Sequence, residues 1–121
     1  MSAASVAEEF FDAWTGGNFD RARDLLADDG FRFEGPIDTF EDRDSYLASL
    51  QGLASIVTGA ERLKVFEDGD DACVIYELRT QPVPSSRIAE WYRVRDGRIA
   101  WMLVLFDARP FAALFEHATQ P

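Results

Sequence analysis

Two side chains have the type and setting for proton chemistry in an apolar site. Glu90 lies in Ile88-Ala89-Glu90-Trp91-Tyr92, where strand alternation puts it on the face shared by Tyr92 and Val94. If that face lines a cavity, apolar walls raise the carboxyl's pKa and leave a neutral acid or a poised base. The competing reading is a strand glutamate that is exposed or paired with an arginine across the sheet. Tyr76 alternates with Val74 and Leu78, so its hydroxyl can donate into a cavity or find a partner within the core. Other chemistries lack their parts. His117 is the sole histidine and lies near the terminus, which gives neither a catalytic triad nor a metal site. Cys73 is the only cysteine, in the apolar run Ala72-Cys73-Val74-Ile75, and reads as a small core residue. The clusters Asp28-Asp29 and Glu67-Asp68-Gly69-Asp70-Asp71 lack the spacing of a calcium loop and read as solvated turns. With no glycine-rich phosphate loop and no nucleophile elbow, no cofactor and no metal is expected.

These groups belong to a chain of 121 residues, which fits a single domain over residues 1–121. Hydrophobic residues make up 47%, enough for a core without disulfide or metal support. A formal charge of −10 repels nucleic-acid phosphate and anionic lipid, so neither is expected as a partner. The first residues carry no basic side chain of a secretory signal, and no apolar run reaches the length of a membrane span. With one free thiol, a cytoplasmic setting is the expectation.

The elements that must position Glu90 and Tyr76 follow from periodicity. Val6, Phe10 and Trp14 recur four apart and predict a helix over residues 5–15, stopped by Gly16-Gly17. Asn18 caps a short second helix with Phe19, Ala22, Leu25 and Leu26 inward. Phe31-Arg32-Phe33-Glu34 alternates as a half-buried strand, broken by Gly35-Pro36. A longer helix starts near Asp42 with Tyr46, Leu47, Leu50, Leu53, Ala54 and Val57 inward, and Thr58-Gly59 closes it. Strands follow over residues 60–66, 72–79, 87–94 and 98–106. Pro82 and Pro84 interrupt the middle, and Arg95-Asp96-Gly97 turns the last hairpin. Asp107 then caps a terminal helix carrying Phe111, Leu114 and Phe115. This order predicts an α+β fold, a curved, mostly antiparallel sheet wrapped around helices. Because residues 99–106 are apolar on both faces, the outer sheet face is expected to be covered by a second copy of the chain.

In this order and spacing, the pieces resemble the SnoaL-like branch of the nuclear transport factor 2-like superfamily, which includes ketosteroid isomerases. The resemblance runs through Trp14-Thr15-Gly16-Gly17-Asn18-Phe19-Asp20, Leu26-Ala27-Asp28-Asp29, Phe33-Glu34-Gly35-Pro36, Tyr92-Arg93-Val94-Arg95-Asp96-Gly97-Arg98-Ile99 and Phe106-Asp107. It implies a cone-shaped fold with an apolar pocket between the concave sheet and the helices, often in a homodimer. Ketosteroid isomerase uses an aspartate base and an oxyanion site of tyrosine and protonated acid. By local match, Gly35 occupies the base position, Phe10 the tyrosine position and Glu90 the acid position, so two of three roles are missing. The acid that closes the last strand, here Asp107, is catalytic in some members. The resemblance also implies that Met102, Val104 and Phe106 face the pocket. Trp14, Phe33, Tyr46 and Tyr92 complete its expected lining.

The resulting expectation is an isomerase, cyclase or hydratase that needs no cofactor and acts on a small apolar molecule. Glu90 would be its acid or base, assisted by Tyr76 or Asp107. The alternative is a binding or dimerisation module of the same fold without catalysis.

Overall fold

Three short polar side chains start the three helices. In the computed structural model, which describes residues 2–112, the Ser2 hydroxyl accepts the Ser5 amide at 3.1 Å and opens α1 (Ala3–Thr15). Asn18 Oδ1 accepts the Arg21 amide at 3.1 Å and opens α2 (Phe19–Asp24). Asp42 Oδ1 accepts the Ser45 amide at 2.8 Å and opens α3 (Arg43–Ala54). Each satisfies an amide that the first helical turn leaves without an intrahelical partner. One stripe of α1 is buried, with Val6, Phe10 and Trp14 along it.

The sheet contains β1 (Arg32–Glu34), β2 (Thr39–Phe40), β3 (Val57–Asp68), β4 (Asp71–Thr80), β5 (Ser86–Arg95) and β6 (Arg98–Leu105). Their spatial order is β2-β1-β6-β5-β4-β3. From β3 to β6 the strands form an antiparallel meander, while β1 joins β6 in parallel. Register irregularities between Arg62 and Lys64 and between Arg93 and Val94 interrupt the ladders. Such bulges bend strands and increase local twist, consistent with the curved, unclosed sheet observed here.

At the β5–β6 turn, Asp96 and Gly97 have φ of 53° and 76°, the paired left-handed geometry of a tight hairpin. Between β4 and β5, the buried Thr80 hydroxyl accepts the Val83 amide at 3.1 Å and donates to the Val83 carbonyl at 3.2 Å. That closure lets the chain pass Pro82 and Pro84 without leaving Thr80 unsatisfied.

Three details depart from the sequence expectation. First, α3 ends at Ala54, and Val57 pairs with Thr80 as the first residue of β3. Val57 is β-branched, so a place on the sheet suits it better than another helical turn. Second, the short strand β2 follows the Gly35-Pro36 turn and folds back on β1, pairing Phe40 with Phe33. Third, Arg109–Phe111 forms a 3₁₀ turn with Ala108 at its N-cap. Asp107 nevertheless accepts the Arg109 amide at 3.0 Å. Leu114, Phe115 and His117 lie outside the described residues.

Candidate functional site

Tyr46, on α3, is the hinge of the aromatic packing beneath the β1–β2 hairpin. Its ring stacks on Phe33 with centroids 4.5 Å apart and lies 6.2 Å from Phe40 and 6.4 Å from Phe10. Beyond these rings is a cavity of about 330 Å³. The β1–β2 hairpin supplies its rim through Gly35, Pro36, Ile37 and Asp38, and α3 supplies Tyr46, Leu50 and Leu53. Tyr76 and Leu78 of β4, Ile88 and Glu90 of β5, and Val104 of β6 form the sheet side. Phe106 and Phe111, in edge contact at 5.4 Å, close one end.

Glu90 is 3% exposed. Its cross-strand neighbours are Val74 on β4 and Val104 on β6, so no arginine pairs with it across the sheet. The polar groups close to it are the phenols of Tyr76 on β4, Tyr92 on its own strand and Tyr46 on α3. Burial raises its pKa from 4.5 to about 7, and the Tyr76 and Tyr92 hydroxyls oppose that rise in part. Burial, reinforced by the Glu90 charge, pushes all three phenols well above their ordinary pKa, so they stay neutral donors. Glu90 Oε1, Tyr92 OH and Trp14 Nε1 are buried without a hydrogen-bond partner among the described residues. The Tyr76 and Tyr92 hydroxyls are the donors beside that carboxyl group.

Of the other side chains singled out in the sequence, Phe33, Tyr46, Tyr76, Val104 and Phe106 line the cavity beside Glu90. Trp14, Tyr92 and Met102 are fully packed in the core and stand outside the lining. Asp107 is also outside it. Its carboxylate is exposed and held by the Arg109 guanidinium at 2.8 Å and the Arg109 amide, which lower its pKa to about 2. It therefore does not converge with Glu90. Gly35 does border the cavity, and a β-carbon there would come within 3.0 Å of the Phe33 ring. Phe10 is buried against Tyr92 at 6.1 Å, so the phenols near Glu90 come from α3, β4 and β5 rather than from α1.

Asp38 was not anticipated in the rim. Its signal is the Phe33 and Phe40 pair flanking Gly35-Pro36, which reads as a short hairpin once Phe40 is allowed a strand; the Gly35 amide donates to the Asp38 carbonyl at 2.9 Å. Among the described residues, no cluster of His, Cys, Asp and Glu is placed to hold a metal ion. No described helix is long and apolar enough to cross a membrane.

A curved sheet, three helices and a carboxyl-floored cavity define a small α+β pocket domain. The model of the SnoaL-like domain family matches residues 7–102, and the chain belongs to that family. Among solved structures, a protein from Kribbella flavida DSM 17836 is 31% identical with a TM-score of 0.88, covering 97% of this chain and 96% of its own. An NTF2-like protein from Cytophaga hutchinsonii ATCC 33406 is 25% identical with a TM-score of 0.79, over 93% of this chain and 96% of its own. An LEH-like epoxide hydrolase of M. tuberculosis shares the fold at 20% identity and a TM-score of 0.74, over 95% of this chain and 96% of its own. No match is found among curated proteins.

Proposed function

We propose that this SnoaL-like domain binds a small, largely apolar molecule in the cavity and exchanges a proton with it through Glu90. The reaction class is that of an isomerase, cyclase or hydratase working without a cofactor. One observation carries this reading: a carboxyl group that titrates near neutrality stands on the wall of an otherwise apolar cavity, among neutral phenols. A group with a pKa near the working pH is present in both protonation states and can give or take a proton. Tyr76, which shares the cavity wall, is the assisting donor.

The test is a screen of small ketones, epoxides and enol ethers for turnover, by wild type and by Glu90→Gln. Turnover by wild type that Glu90→Gln loses while still binding supports the reading. Binding with no turnover by either favours the second reading, a pocket that holds a ligand without changing it. That second reading draws support from Gly35, which puts no proton acceptor at a position bordering the cavity. We also propose that the outer sheet face, with Trp91 and Leu105 exposed on it, packs against a second copy of the chain. The free Cys73 suits a cytoplasmic setting.

A further inference from the structure

A buried acid needs hydrogen-bond donors or a positive charge, and the cavity wall supplies few. Among the described residues its charged side chains are Glu90 and Asp38, both acidic, with no Lys or Arg on the lining. The groups that face Glu90 are the phenols of Tyr46 from α3, Tyr76 from β4 and Tyr92 from β5, while Cys73 of β4 also feels its charge. On the cross-strand positions of β4 and β6 it meets only Val74 and Val104. Glu90 Oε1 makes no hydrogen bond of good geometry among the described residues, and the donors beside the carboxyl are the neutral Tyr76 and Tyr92 hydroxyls.

Much of the remaining wall is aromatic. Phe33, Phe40 and Tyr46 form one group, with Phe33 and Tyr46 stacked at 4.5 Å, and Phe106 and Phe111 form another. Ring faces attract a desolvated cation, and a carboxylate makes its strongest hydrogen bonds to a charged donor. The protein's charge of −10 and the exposed Asp38 on the rim enrich cations at the mouth and repel anions. A ketone or ester accepts from the protonated carboxyl but brings no donor to the ionised one. A carboxylate ligand sets like charges together. An ammonium group brings both the donors and the charge.

We infer that the cavity is selective for a small lipophilic amine, its ammonium against the Glu90 carboxylate and its hydrocarbon part among the aromatic walls. The inference rests on the pocket reading above and specifies which group of the bound molecule meets Glu90. With Glu90 at about 7 in the free protein, a cation should bind more tightly as Glu90 ionises.

Phenethylamine, phenethyl alcohol and phenylacetate separate the possibilities, because they share one hydrocarbon and differ in the head group. Their affinities are measured by NMR titration at pH 6 and pH 8. Amine binding is expected to strengthen about tenfold between those pH values, and to exceed alcohol binding about tenfold at the higher one. Glu90→Gln should abolish both differences. In wild type, saturating amine should also lower the Glu90 pKa, read from its carboxyl carbon shift, a readout that does not depend on the variant folding. Equal affinity for amine and alcohol at pH 8, tighter binding of phenylacetate, or an unmoved Glu90 titration overturns the inference while leaving the pocket reading standing. Binding of none of the three overturns the pocket reading, and the inference with it.

Discussion

Placing Glu90 between Val74 and Val104 makes its charge a liability to the fold. The folded-state pKa of about 7 exceeds the ordinary 4.5, so between these values the folded state holds a proton that the unfolded chain has released. The Glu90 contribution to stability is therefore complete below about pH 4.5 and is lost as pH rises through about 7, a change of roughly 3 kcal/mol. Glu90→Gln, which cannot ionise, should remove that slope, and the difference between the two urea-unfolding profiles across this window measures it. The tyrosines tune the same equilibrium. Because the Tyr76 hydroxyl favours the charged form, Tyr76→Phe should move the Glu90 pKa above its wild-type value in a carboxyl-carbon NMR titration. Asp107→Asn should leave that titration in place, since Asp107 is exposed and bound to Arg109 away from the cavity. The acid at position 90 was legible in the sequence from strand alternation together with the family resemblance, which left an exposed or arginine-paired glutamate as the alternative. The lack of a cross-strand arginine was not, because register decides it.

At the level of elements, the cavity depends on α3 holding Tyr46 against the β1–β2 hairpin. Asp42→Ala removes the cap of that helix and should cost about 1 kcal/mol in chemical denaturation, with the loss concentrated in amide-exchange protection of α3. Gly35 marks the other side of the same wall. Its β-carbon would press on a Phe33 ring already stacked on Tyr46, so Gly35→Ala should destabilise by about 1–3 kcal/mol and weaken ligand binding. A variant as stable as wild type would mean that Phe33 is free to move. The caps at Asn18 and Asp42 and the Asp96-Gly97 turn were readable because each is a local choice made by one or two residues. The end of α3 and the strand β2 were not. Val57 and Phe40 take their conformations from pairing with Thr80 and Phe33, residues distant in the chain or across a turn.

Among the described residues, helices fill the concave face of the sheet and leave the outer face uncovered. Trp91 and Trp101 meet edge to face at 4.7 Å on that outer side, Arg93 lies over both rings, and Leu105 is 59% exposed beside them. Two copies packed through this face should give a hydrodynamic mass near twice 13.6 kDa at micromolar concentration. Leu105→Glu should shift the population toward monomer without unfolding it, as sedimentation can establish. Monomeric wild type with no concentration dependence would exclude the assembly. What the sequence by itself determined is the three helices, the strands other than β2, their order and the one-face burial of α1 and β5, because 3.6-residue and two-residue periodicities are written locally. The convergence of Glu90, Tyr46 and Tyr76 on one cavity, with Trp14, Tyr92 and Met102 behind it and Asp107 outside it, was decided by tertiary structure alone. Strand register and the path of the β1–β2 hairpin fix which buried side chains meet empty space, and both arise from contacts between residues far apart in the chain.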